Sequence, residues 1–232
     1  MKKANNQLVI LETIRQLKNP TFKELQQKLD IPESTIRRIL TNFERSGKVV
    51  KDLGMYQIVA QPLVRETPYY EKTFTNIDKK KEIAMKAFYC IKDGESVFLD
   101  GGTTIDFLAD LLEIGQHLNI VTNSIPIFLK LFEKGFKDIV LIGGNYNATN
   151  QSLVGFGAVD FIEKYNFDVS FLEVSSVDNE YNCYTTSVDD CQIKQRIIEK
   201  SKFCFALADE TKFNKKSFIK FGSKKDVIII SE

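Results

Sequence analysis

Through the first 60 residues the apolar positions recur at helical spacing. Ile10, Leu11, Ile14 and Leu17 predict an amphipathic helix over about 7–18, stopped by Asn19-Pro20. Thr21-Phe-Lys-Glu24 is a capping-box pattern and opens a second short helix with Phe22, Leu25 and Leu29 inward. After the Asp30-Ile31-Pro32 turn, Ile36, Ile39, Leu40 and Phe43 fall at i, i+3, i+4 and i+7. They predict a third helix from Pro32 or Glu33 to Arg45, ended by Gly47. Lys48–Lys51 and Tyr56–Val59 then read as two strands around Gly54. Three short helices and a hairpin make a winged helix-turn-helix over residues 1–60.

The pattern then changes. Residues 61–75, with Pro62, Pro68 and Tyr69-Tyr70, read as a linker. From residue 76 to 232, helical stretches alternate with short apolar runs. Lys79–Ile91 carries Ile83, Ala84, Ala87 and Ile91 on one face. Strands are expected at 96–99, 118–122, 138–142, 167–174, 203–208 and 226–230, and helices at 105–112, 125–133, 158–165 and 190–201. Such alternation predicts an α/β domain built on a mostly parallel, Rossmann-like sheet with helices on both faces.

Charge divides the chain the same way. The net charge is +1, but residues 1–60 hold 11 Lys/Arg against 6 acids, leaving 21 against 25 for the rest. A basic head on an acidic body suggests a polyanion for the head and another task for the body. With one histidine and four scattered cysteines (Cys90, Cys183, Cys191, Cys204), no zinc site of ordinary spacing arises, and reduced packing thiols are expected. His117 is read as a surface or capping residue, and most of the 18 phenylalanines as core. Glu12 and Arg15 break the first apolar run, so no signal peptide is expected. No run of about 18 apolar residues suggests a membrane span, and a cytoplasmic location is expected.

Two groups of residues carry candidate chemistry. On the third helix, Ser34, Thr35, Arg37, Arg38 and Thr41 avoid the apolar stripe. Hydroxyls and guanidiniums there suit phosphates and guanine edges in a major groove. In the body, ligands of parallel sheets bind beyond the carboxyl ends of the strands. The first strand ends in Asp100-Gly101-Gly102-Thr103-Thr104 with a helix at once after it, which is the chemistry of a phosphate cradle. It is neither a Walker loop nor a dinucleotide fingerprint, and no cofactor is expected. Thr122-Asn123-Ser124 and Gly143-Gly144-Asn145 end the next two strands. Lys194 and Lys212 are placed to pair with a phosphate or hydroxyl.

In order along the chain, these features resemble the DeoR family of bacterial transcriptional repressors. The residues that carry the resemblance are Ser34-Thr-Ile-Arg-Arg38, Lys80-Lys-Glu-Ile83-Ala84, Asp100–Thr104, Thr122–Ser124, Gly143-Gly144, Gly155, Asp168, Lys194 and Ala208-Asp-Glu-Thr-Lys212-Phe213. The resemblance implies operator binding by the winged helix and a C-terminal domain like ribose-5-phosphate isomerase that binds a phosphorylated sugar as inducer. It also implies oligomerisation, as a dimer or tetramer, and puts the Asp100–Thr104 loop, Lys194 and Lys212 at effector-site positions. Departures from the family pattern are Ile39 for an Asp, Pro32 for a Ser, and a lone Gly54 in place of a Gly-Gly pair. Thr73 stands for an arginine, Cys183-Tyr184-Thr185 for Gly-Leu-Thr, and Asp190 for a glutamate.

The function expected is a DNA-binding repressor of sugar-metabolism genes, released by a phosphorylated sugar, with a double-stranded operator as partner. The alternative is a sugar-phosphate isomerase-like enzyme with an appended winged helix, in which Lys194 with Asp100 or Asp190 would move protons.

Overall fold

The computed structural model describes residues 2–45, 48–59 and 66–232. Gly47, Gln61 and Pro62 lie outside them. The chain divides into two compact units, residues 1–62 and 63–232.

The first unit contains α1 (Lys2–Leu17), α2 (Phe22–Lys28), α3 (Glu33–Arg45), β1 (Val49–Asp52) and β2 (Met55–Ile58). Thr21 caps α2 as expected. Its hydroxyl accepts from the Glu24 N–H while the Glu24 carboxylate accepts from the Thr21 N–H. Ile10, Ile14, Leu25, Ile36, Ile39, Leu40 and Phe43 close one core with Val49 and Tyr56 of the antiparallel hairpin. Tyr56 N–H donates to Pro20 O at 2.8 Å, which ties the hairpin to the turn after α1. Leu17, expected inside, is exposed at the helix end.

The second unit begins with α4 (Tyr69–Thr73) and α5 (Ile77–Phe88). Then follow β3 (Ser96–Leu99), α6 (Thr103–Leu111), β4 (Asn119–Thr122), α7 (Ile125–Glu133), β5 (Ile139–Leu141), β6 (Asn145–Asn147), β7 (Ser152–Val154), α8 (Phe156–Ile162) and β8 (Phe167–Glu173). The chain continues with β9 (Ser176–Val177), β10 (Asn182–Thr185), α9 (Val188–Glu199), β11 (Ser201–Leu207), β12 (Ile219–Ser223) and β13 (Ile228–Ile230). Six strands form one sheet in the order β13-β11-β8-β3-β4-β5, every neighbouring pair parallel. Alternation along β3 sends Val97 and Leu99 into the layer with α5, α6 and α7, and Phe98 into the layer with α8 and α9.

Four expectations are corrected. The stretch 61–75 is not only a connector. It holds α4, whose Tyr69 and Lys72 are buried against the body. Residues 145–154, which carried no expected strand, form the β6–β7 hairpin, and β9, β10 and β12 form a small antiparallel sheet. These pieces have two to five residues each, too short for an alternation signal. Several phenylalanines face outward, among them Phe132, Phe203 and Phe156, the last 84% exposed. Lastly, α8 starts at Phe156 rather than Ala158. The four cysteines are free thiols, three of them buried. His117 is exposed beside Asp93. No helix among the described residues is long and apolar enough to cross a membrane.

Candidate functional site

In the head, α3 buries its apolar stripe and leaves Ser34, Arg37, Arg38 and Thr41 exposed, with Thr35 half-buried. Arg37 is engaged: its guanidinium pairs with Glu33 one turn earlier at 2.7 Å and lies 4.1 Å over the Phe22 ring. Arg38 has no ion-pair partner among the described residues. The Thr41 hydroxyl donates back to Arg37 O at 3.0 Å, leaving its lone pairs outward.

In the body, strand order places the chemistry. From β3 the chain winds one way through β4 to β5, and from β8 the other way through β11 to β13, so β3 and β8 flank the switch point. Their carboxyl ends carry Asp100 and Glu173. Asp100 is 1% exposed. Its Oδ1 accepts from Gly101 N–H (2.8 Å) and Asn123 Nδ2 (3.1 Å), and its Oδ2 accepts from Glu173 N–H (3.1 Å) and Lys194 Nζ. Lys194, 2% exposed, also pairs with Asp190 at 3.2 Å, one turn back on α9. Thr185 donates to Asp190 Oδ2 at 2.5 Å.

Burial works against charge on Lys194, but Asp100 and Asp190 outweigh it and hold its pKa above the ordinary lysine value. Burial raises the Asp190 carboxyl above the carboxylate range, the lysine pulling the other way. The triad is thus a buried unit in which one ammonium is shared by two carboxylates.

The loop after Asp100 makes the cradle. A Cβ at Gly102 would lie 2.7 Å from Glu173 Cβ, and one at Gly101 3.0 Å from Ser152 Cβ, so only glycine lets the loop approach both neighbours. Thr103 and Thr104 follow on the first turn of α6, buried, with neither hydroxyl hydrogen-bonded among the described residues. Asn123 Oδ1 is buried without a partner among the described residues.

The other expected residues are placed differently. Thr122 donates to Leu99 O at 2.6 Å and accepts from Ser124 N–H, so it clamps β3 to β4. Gly144 turns the chain at φ 149° against Val154 O and Ala158, while Gly143 is exposed with open space around it. Lys212 sits half-buried on the short turn Glu210–Lys212 after β11, without an ion-pair partner among the described residues.

Sequence reasoning missed a second buried cation. Lys72 Nζ donates to Glu173 Oε1 (2.8 Å), Glu66 Oε1 (3.2 Å) and Asn150 Oδ1 (3.2 Å). Lys72 stands one residue before Thr73. Lys80 donates to Lys72 O, and burial drops its pKa to about 8. Glu173 was legible as a charge at the end of an apolar strand. Lys72 gave no signal inside a stretch read as a linker.

A model of the DeoR C-terminal sensor domain matches residues 75–232, and one of the IclR helix-turn-helix domain matches residues 6–53. This chain belongs to the DeoR family. The glycerol-3-phosphate regulon repressor of Escherichia coli (strain K12) is 26% identical over 223 residues, covering 96% of this chain and 88% of that protein. The lactose phosphotransferase system repressor of Lactococcus lactis subsp. lactis is 32% identical over 199 residues, 84% of this chain and 77% of that protein. The DeoR relatives are transcriptional regulators rather than enzymes. Among solved structures, eIF2B delta from Chaetomium thermophilum shares the fold, with a TM-score of 0.51 at 12% identity over 99% of this chain and 71% of that one. Ribose 5-phosphate isomerase A from Methanocaldococcus jannaschii matches at a TM-score of 0.43 and 15% identity, over 60% and 55% of the two chains.

Proposed function

We propose that this protein is a cytoplasmic repressor of sugar-metabolism genes that leaves its operator when a phosphorylated sugar binds the body. The observation that carries the reading is the meeting of a glycine cradle, a buried Asp100–Lys194–Asp190 triad and an unfilled acceptor on Asn123 at the switch point of the sheet. The relatives named as glycerol-3-phosphate regulon and lactose phosphotransferase system repressors support it.

In this reading the amide of Gly102, the start of α6 and the hydroxyls of Thr103 and Thr104 receive the phosphate, with Gly101, whose N–H is held by Asp100, shaping the loop and Lys212 adding charge. Asp100, Asn123 and Lys194 receive sugar hydroxyls. Thr122, Gly143 and Gly144 shape the surrounding turns. Ser34, Thr35, Arg37, Arg38 and Thr41 meet the DNA. A dimer or tetramer presents two winged helices to two half-sites, and effector binding shifts the population away from the matching arrangement. Coupling of about 1–3 kcal/mol is enough for that.

The test is binding of the purified protein to fragments of its own genome, with and without a panel of phosphorylated sugars. Selective binding abolished by one sugar phosphate is the expected result. Turnover of a sugar phosphate without selective DNA binding would overturn the reading.

A further inference from the structure

We propose that Glu173 is an internal anion occupying the phosphate end of the effector site, and that through Lys72 it latches residues 66–75 until an anionic ligand displaces it. The proposal rests on the sugar-phosphate reading above and adds a built-in competitor to it.

The geometry is direct. A Cβ at Gly102 would lie 2.7 Å from Glu173 Cβ and 3.2 Å from its carboxyl carbon, so the glutamate lies flat on the cradle loop. Its side chain is only 14% exposed. Lys72, Lys212 and Lys194 draw its carboxyl below the ordinary value against the cost of burial. Lys72 bonds this carboxylate and the charges of Lys212 and Lys194 act on it beside the glycine loop, so it sits in the positive field that a phosphate would seek. The two anions cannot share the space, because like charges at such distances repel.

Displacement has a consequence because of what holds Lys72. Residues 66–75 are fixed to the ligand end of the body at a few points. Thr186 Oγ1 donates to Glu66 Oε2 at 2.8 Å, and Tyr69 N–H donates to Thr149 O at 2.8 Å. Lys72 bridges Glu173, Glu66 and Asn150. Its ammonium links this segment to Glu173 beside the cradle. A phosphate dianion that expels Glu173 takes over Lys72 or leaves it unpaired toward the cradle, and either way resets the anchor of the segment that follows the head in sequence. Asn123 Oδ1, buried and unpartnered, is the acceptor a sugar hydroxyl would fill at the same time.

The test uses the full chain, its Glu173→Gln and Lys72→Met variants, inorganic phosphate and the sugar-phosphate panel as titrants, and hydrogen exchange over 66–75. Removing an internal competitor removes a population tax on binding. Glu173→Gln is expected to bind inorganic phosphate about tenfold more tightly than wild type, and Lys72→Met more weakly. Both ligand-free variants should exchange faster over 66–75. Phosphate affinity in Glu173→Gln equal to or below that of a binding-competent wild type overturns the proposal. So does unchanged exchange over 66–75. If no phosphorylated probe binds either protein while Glu173→Gln exchanges faster, the latch stands and the sugar-phosphate reading falls.

Discussion

Lys194, on α9, donates to the carboxylate of Asp100 at the end of β3, a residue 94 positions earlier in the chain. This bond ties a helix from one layer to the carboxyl edge of the sheet, while the second pair, to Asp190, lies within α9. Among the described residues no other cation pairs with either carboxylate, so Lys194 is the shared counter-charge of both.

Lys194→Met is therefore expected to destabilise the body strongly. Breaking a buried pair by removing one partner costs about 3–5 kcal/mol, because Asp100 and Asp190 stay behind without compensation. Urea denaturation reads the loss. A loss under about 1 kcal/mol, the range of exposed pairs, would show the triad is not the buried unit described.

Gly102 and Gly143 both stood out in the sequence, but the structure separates them. Gly102→Ala drives a methyl into Glu173 and is expected to cost about 1–3 kcal/mol and to abolish effector-induced DNA release. Gly143→Ala meets nothing within 4 Å and should leave release intact. Thermal unfolding together with an operator-release assay checks the pair. Equal behaviour of the two variants would refute the cradle geometry.

Because its charge acts on Glu173, Lys212 and Lys72, Lys80 is expected to make effector binding pH-dependent. Burial lowers its pKa to about 8, so it is mostly charged at neutral pH and loses its proton as the pH rises through that value. A phosphate monoester, with its second pKa at about 6, is already a dianion there. Anion affinity should thus fall between about pH 7 and pH 9, and Lys80→Met should flatten the profile. For stability the sign is opposite. The unfolded lysine holds its proton to higher pH, so stability rises from about pH 8 toward the ordinary lysine value. A flat wild-type titration by calorimetry would exclude this role.

Arg37 and Arg38 should each contribute to DNA affinity, but not alike. Arg38→Ala removes a cation with no ion-pair partner among the described residues and is expected to lower affinity and, for a phosphate contact, to reduce the salt slope by about 1. Arg37→Ala also loses the pair to Glu33, which exposed (i, i+4) geometry limits to about 0.3–0.5 kcal/mol, and the contact over Phe22. Anisotropy titrations across salt concentrations distinguish them. Wild-type affinity in both variants would remove α3 from the interface.

Thr21→Ala should lower the stability of the head by about 1 kcal/mol, since it removes the hydroxyl that accepts from the Glu24 N–H and donates to Glu24 Oε2, while the Thr21 N–H keeps its bond to that carboxylate. Denaturant unfolding followed on the head checks it.

What the sequence by itself determined is what local physics controls. Helical spacing and a cap made α2 and α3 legible nearly to the residue, and the stripe of Ile36, Ile39, Leu40 and Phe43 settled which face of α3 points out. Alternation of apolar runs revealed the parallel sheet, and glycines before a helix marked the cradle. Tertiary structure decided what depends on distant partners. Strand order brought Glu173 to Asp100 across the switch point, and Lys72 reached both Glu173 and Asn150 from a stretch with no pattern of its own. The short antiparallel strands β6, β7, β9, β10 and β12 exist only because neighbours supply their hydrogen bonds. A buried ion pair leaves no periodicity in the chain, since its energy comes from residues that only folding brings together.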